Sequence, residues 1–162
     1  MSLRVTLLSS AALAAALVVG ACNSDAVAPP ADGPLRGTMQ STETVTPDPA
    51  TGLLRVALTG TGDSPLLGRF QVATDGRVNP ATGAGTGTTT LTAADGSTIT
   101  GSLQGQGVRR AGQPTQVTEV TTITGGTGRF SGASGQYTLT RQTDEATGRS
   151  TGTLDGTVRA RP

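Results

Sequence analysis

The sequence has no histidine, no lysine and no tryptophan, and it contains one cysteine, one tyrosine and two phenylalanines in 162 residues. Each absence removes a chemistry. Without histidine or a second cysteine there is no Ser-His-Asp or Cys-His nucleophile system and no ordinary zinc or haem ligand set. Without lysine there is no Schiff base and no P-loop, however abundant the glycines. The run from Gly126 also misses the dinucleotide-binding spacing, because Ser131 stands where the third glycine would fall. Asp48, Asp95 and Asp144 lie in turn contexts and lack the clustered oxygen spacing of a calcium loop. No metal and no cofactor are expected. A single cysteine forbids an intramolecular disulfide, so stability must come from packing and hydrogen bonding.

The N-terminal segment carries an address. Met1 to Arg4 form a short cationic start, and Val5 to Ala21 form an almost wholly apolar or small-residue run. This pattern reads as a secretion signal over residues 1–21; an uncleaved anchor is the alternative, since the run is near the lower bound of about 17 residues for a span. Val19-Gly20-Ala21 directly precedes Cys22 and resembles a bacterial lipobox. The resemblance implies cleavage before Cys22 and acylation of its thiol. Two or more acyl chains tether stably where one is marginal, at about 0.8 kcal/mol per buried methylene. The expected location is the bacterial cell envelope, lipid-anchored. Asn23 in place of an aspartate favours the outer membrane of a Gram-negative cell. Loss of Arg4 with the signal leaves 11 arginines against 11 acids, and no basic stripe points to nucleic acid.

Leu, Ile, Val and Phe make up only 31 of the 162 residues, close to the limit of about 20% associated with disorder. Disorder also needs high net charge, which is missing here. Thirty threonines tilt the chain to strand, because a β-branched side chain suits a half-buried pleated surface. Residues 22–34 read as a lipidated N-terminus and flexible stalk with Pro29, Pro30, Gly33 and Pro34, and residues 35–162 as one domain.

Period-two alternation predicts eight strands: Leu35 to Val45, Leu53 to Thr59, Leu66 to Thr74, Thr86 to Ala93, Ser97 to Gly105, Thr115 to Thr124, Gly135 to Gln142 and Arg149 to Arg159. Asp48-Pro49-Ala50-Thr51-Gly52 recurs as Asn79-Pro80-Ala81-Thr82-Gly83 and, loosened, as Asp144-Glu145-Ala146-Thr147-Gly148. Each pentad combines an Asp or Asn that can bond the following backbone with a glycine for positive φ, so three hairpins are expected. Eight short antiparallel strands imply an all-β fold, either an eight-stranded barrel or a β-sandwich; the barrel disposes of the sheet edges.

Ile123 to Phe130, reading Ile-Thr-Gly-Gly-Thr-Gly-Arg-Phe, followed by Gly132-Ala133 and Gly135-Gln136-Tyr137-Thr138-Leu139, resembles the stretch shared by allene oxide cyclases and dirigent proteins. Those families are eight-stranded antiparallel barrels, often trimeric, so the resemblance implies a barrel and a homotrimer. It assigns Gly125, Gly126, Gly128, Gly132 and Gly135 to shaping the turn, with Phe130 plugging the space beneath it. The cyclases bind a fatty-acid epoxide and the dirigents orient phenolic radicals in cavities lined by aromatics. This domain has only Phe70, Phe130 and Tyr137, so activity does not carry over with the fold.

Carboxylate, arginine, tyrosine and hydroxyl chemistry remain. Glu119 shares a strand face with Val117 and Ile123 and is a candidate general acid or base if that face points inward. Glu43 on the first strand is a candidate through the resemblance, being similar in type to the cyclases' first-strand glutamate. The alternative for Glu119 is that its face points outward or that it pairs with a neighbouring arginine. Arg55 and Arg69 are candidates to hold a ligand carboxylate in a barrel mouth or, alternatively, solvated cross-strand partners, and Tyr137 is a candidate ligand contact. The expected function is a structural or small apolar-ligand-binding role in a membrane-anchored lipoprotein. An isomerase or cyclase acting on a lipid-like or phenolic metabolite is the alternative.

Overall fold

The structure is a computed structural model, and it describes residues 30–160. The signal segment, Cys22 and the stalk up to residue 29 lie outside the described residues. Eight strands follow one another: β1 (Gly33–Asp48), β2 (Leu53–Ser64), β3 (Gly68–Val78), β4 (Ala84–Thr92), β5 (Thr98–Val108), β6 (Thr115–Gly126), β7 (Ser134–Asp144) and β8 (Arg149–Arg159). Each pairs antiparallel with its successor, and β8 pairs with β1, so the sheet is a closed barrel. A sandwich would leave that last pairing unmade. The domain begins two residues before the expected Leu35, because Gly33 and Pro34 already pair with Val158 and Thr157 of β8.

Several strands outrun the alternation that predicts them. β2 continues through Gly60 and Gly62 to Ser64, and β3 through Gly76 to Val78. Glycine has no side chain to mark a face, so the pattern fades there while the hydrogen-bonded ladder continues. At its other end β3 starts at Gly68, because Leu66 and Leu67 belong to the preceding turn.

The connections separate into two ends. The three pentads join β1 to β2, β3 to β4 and β7 to β8, and they lie at one end with the Arg109–Pro114 loop between β5 and β6. Within each pentad the first side chain accepts from the backbone N–H two residues on, at 3.1, 2.9 and 2.9 Å for Asp48, Asn79 and Asp144. Gly52, Gly83 and Gly148 close the turns with φ of 70°, 74° and 68°, conformations that other residues adopt only at a cost.

At the opposite end the barrel is sealed. Gly128–Phe130 forms a 3-10 turn between β6 and β7, entered through a bulge at Thr124, which the ladder skips between Gly125 opposite Thr100 and Ile123 opposite Gly101. Gly128, Gly132 and Gly135 take positive φ, and a side chain on Gly126 would run into the Thr98 and Phe130 carbonyls. Gly125 meets no such restriction. The Phe130 ring is fully buried and joins Leu35, Leu67, Phe70, Leu91, Ile99 and Val158 in filling this half. Arg129 ties the cap together. Its guanidinium donates to Asp95 Oδ2 and to the Leu66 carbonyl, both at 2.8 Å, and lies 4.4 Å from the centroid of the Phe130 ring.

Phe130→Ala should therefore lower unfolding free energy by about 3–5 kcal/mol, the usual range for emptying a buried aromatic site. Urea denaturation followed by circular dichroism measures it; a loss under about 1 kcal/mol would mean that the cap is not structural.

Candidate functional site

Alternation decides what faces the lumen. On β1 the inward set is Leu35, Met39, Ser41 and Glu43; on β6 it is Val117, Glu119, Thr121 and Ile123; on β7 it is Tyr137, Leu139, Arg141 and Thr143. The register places Glu119 opposite Leu139 on β7 and Ser41 opposite Ser150 on β8. Three ionisable side chains, Glu43 from β1 and Glu119 and Arg141 from the consecutive strands β6 and β7, converge inside the barrel.

Arg141 is at their centre. Its Nε and Nη2 donate to the two oxygens of Glu119 at 3.4 and 3.3 Å, and its Nη1 donates to Glu43 Oε2 at 2.6 Å. Nη1 is also within reach of Thr143 Oγ1 at 2.6 Å and Ser150 Oγ at 3.2 Å, and these two hydroxyls lie 2.8 Å apart. The Arg141 side chain is only 5% exposed, with Glu43 at 13% and Glu119 at 12%. Burial alone would depress the guanidinium pKa. The negative charges of Glu119 and then Glu43 outweigh that cost and hold it above its ordinary value.

Beyond this cluster the lumen is open. A cavity of about 820 Å³ runs from Glu43, Glu119 and Arg141 to the pentad end, walled by Val56, Leu58, Leu103 and Val117. Its room comes partly from Gly76, Gly85, Gly105 and Gly107, which line it where the sealed half carries leucine and phenylalanine. At the rim Glu145 accepts from Arg109 Nε at 2.6 Å and from the Thr115 hydroxyl, joining the β7–β8 turn to the β5–β6 connection. The Thr115 hydroxyl and the Arg109 guanidinium hold the Glu145 carboxyl below its usual range, against a smaller opposing effect of burial. Gln106 Nε2 donates to the Thr82 carbonyl at 2.7 Å and so braces the β3–β4 turn.

The structure brings Glu43 and Glu119 together and separates the other candidates from them. Of the two expectations for Arg55 and Arg69, the outward one holds: neither reaches the barrel mouth, Arg55 being a solvated cross-strand partner of Asp75 at 3.6 Å and Arg69 lying in an outer hollow with Thr61 and Asp63. The alternation that turns Leu54, Val56 and Phe70 inward turns Arg55 and Arg69 outward. Tyr137 points inward but is buried in the core and does not line the cavity. Burial raises its phenol pKa, and the nearby Glu119 charge adds to the rise, while the Thr121 and Thr89 hydroxyls partly offset it. Arg141 is the residue that sequence reasoning missed. Its signal was available: it continues the inward phase of Tyr137 and Leu139 by two residues.

Comparison with family models, with curated proteins and with solved structures finds no match to this chain.

Removing the guanidinium leaves two carboxylates without their buried partner. Arg141→Met should therefore destabilise the barrel by about 3–5 kcal/mol at neutral pH. Combining it with Glu43→Gln and Glu119→Gln should recover more than half of the loss, read from urea midpoints; no recovery would show that the effect is one of packing.

Proposed function

We propose that this chain is a lipid-anchored protein of the bacterial cell envelope whose barrel holds one small, largely apolar ligand in its open end. The observation that carries the reading is the cavity of about 820 Å³. It falls within the range of about 300–1,000 Å³ usual for small-molecule sites and has their composition, apolar walls with a few convergent polar groups. A small barrel can be filled by side chains throughout; here one half is filled and the other is not.

The anchor rests on the lipobox-like Val19 to Cys22. Membership of the allene-oxide-cyclase-like and dirigent-like barrels, with the trimer it implies, is supported by the eight-strand order and by the role of the Thr124–Gly135 stretch as a cap between β6 and β7. A second reading, an isomerase or cyclase, is favoured by one observation: Glu43 and Glu119 both border the cavity, where a carboxylate could take or return a proton of a bound apolar substrate. Turnover of the ligand, as opposed to its simple retention, distinguishes the two.

The cavity can be tested by filling it. A Cβ on Gly107 would meet nothing nearer than the Gly83 carbonyl oxygen at 3.7 Å and Thr115 Cγ2 at 3.8 Å, so a side chain can be started there without displacing backbone. Gly107→Leu should keep the fold by circular dichroism and lose any small molecule that native mass spectrometry finds bound to the wild-type chain, whereas Gly107→Ala should retain it. Retention of the ligand by Gly107→Leu would place binding elsewhere. The anchor has its own test: Cys22→Ser should move the protein from the membrane fraction to the soluble fraction, and an unchanged membrane fraction would exclude lipidation as the tether.

A further inference from the structure

The floor of the cavity carries more negative than positive charge. Glu43 and Glu119 supply two carboxylates and Arg141 one guanidinium, a formal balance of −1 in a largely apolar surrounding. The guanidinium has little left to offer a ligand. Of its five N–H groups, Nε and one of Nη2 go to Glu119, and both on Nη1 are shared among Glu43, Thr143 and Ser150. One N–H at most remains. The carboxylates, in contrast, have capacity to spare: Glu43 receives Arg141 on Oε2 alone, and its Oε1 accepts no hydrogen bond among the described residues. A ligand carboxylate would meet net repulsion and almost no free donors, while a donor with a positive charge would meet an unneutralised carboxylate in a medium that strengthens the attraction.

Shape narrows the class further. Glu119 lies four residues along β6 from Thr115 at the rim, roughly 13 Å along the strand and about 10 Å along the axis at the usual strand tilt. That depth suits a compact body, with room for few methylenes in line. Among the described residues no aromatic side chain lines the cavity, so a cation would be held by carboxylates and not over a ring. The other charges bordering the cavity are Arg77 and the Arg109–Glu145 pair. The pair is internally neutralised, and Arg77 is exposed, where water and salt screen it.

We propose that the ligand of this cavity is a compact apolar ammonium compound, seated with its charged nitrogen at Glu43 and Glu119 and its apolar body against Val56, Leu58, Leu103 and Val117. This rests on the reading of the open end as a small-ligand site. Three probes with one body and different heads separate the two ideas: adamantylamine, adamantanol and adamantanecarboxylate, titrated at neutral pH by calorimetry into the chain from Cys22 onward, which carries the whole barrel. The amine should bind about tenfold or more tightly than the carboxylate, with the alcohol between them. Glu43→Gln should bring the amine to within about threefold of the alcohol. Equal affinities for all three heads, or preference for the carboxylate, would overturn the charge assignment while leaving the ligand site standing. Binding of none of them would overturn both.

Discussion

Hydrogen bonding of β8 to β1 is the constraint on which the rest of this molecule depends. It removes both sheet edges and divides the residues of every strand into an inner and an outer set. The apolar supply of the chain is small, and closure concentrates it: Leu35, Leu58, Phe70, Leu91, Ile99, Leu154 and Val158 all face inward and are almost fully buried. The outer wall is left to threonine and to paired charges such as Arg36 with Asp155. Exposed pairs of that kind add little stability, so the weight falls on the lumen.

Within the lumen the two halves have opposite designs. The sealed half is filled by side chains and capped by the Gly128–Phe130 turn, with Arg129 bonded to the β2–β3 and β4–β5 connections. The open half is walled by valine, leucine and glycine. Arg141 and its two carboxylates lie between them. A buried ion cluster of this sort seldom stabilises a protein more than apolar packing of the same volume would, so its position at the bottom of a cavity is better understood through what the cavity holds. The hydroxyls of Thr143 on β7 and Ser150 on β8 also hold the guanidinium, and both carboxylates border the open space.

Much of this architecture is legible along the chain because its causes are local. Asp48, Asn79 and Asp144 bond their own following backbone, and Gly52, Gly83 and Gly148 supply positive φ, so three hairpins can be placed without any knowledge of tertiary contacts. The plugging role of Phe130 follows from an isolated aromatic in a glycine-rich turn. Alternation also placed Glu43 and Glu119 on their apolar faces. Applied consistently, it would have turned Arg55 and Arg69 outward and carried the inward set of β7 on to Arg141. The strand ends at Gly60, Gly62 and Gly76 were harder, since a residue without a side chain leaves no mark on either face.

By itself the sequence determined the strands, their turns and the face on which each side chain lies, because those depend on neighbours within a few residues. Only the tertiary structure decided that the three pentads share one end, that the glycines of β3, β4 and β5 open a cavity there, and that Arg141 meets Glu43 from 98 positions away and Glu119 from 22. The reason is that register around a closed barrel, and not distance along the chain, sets which inward residues stand at one level.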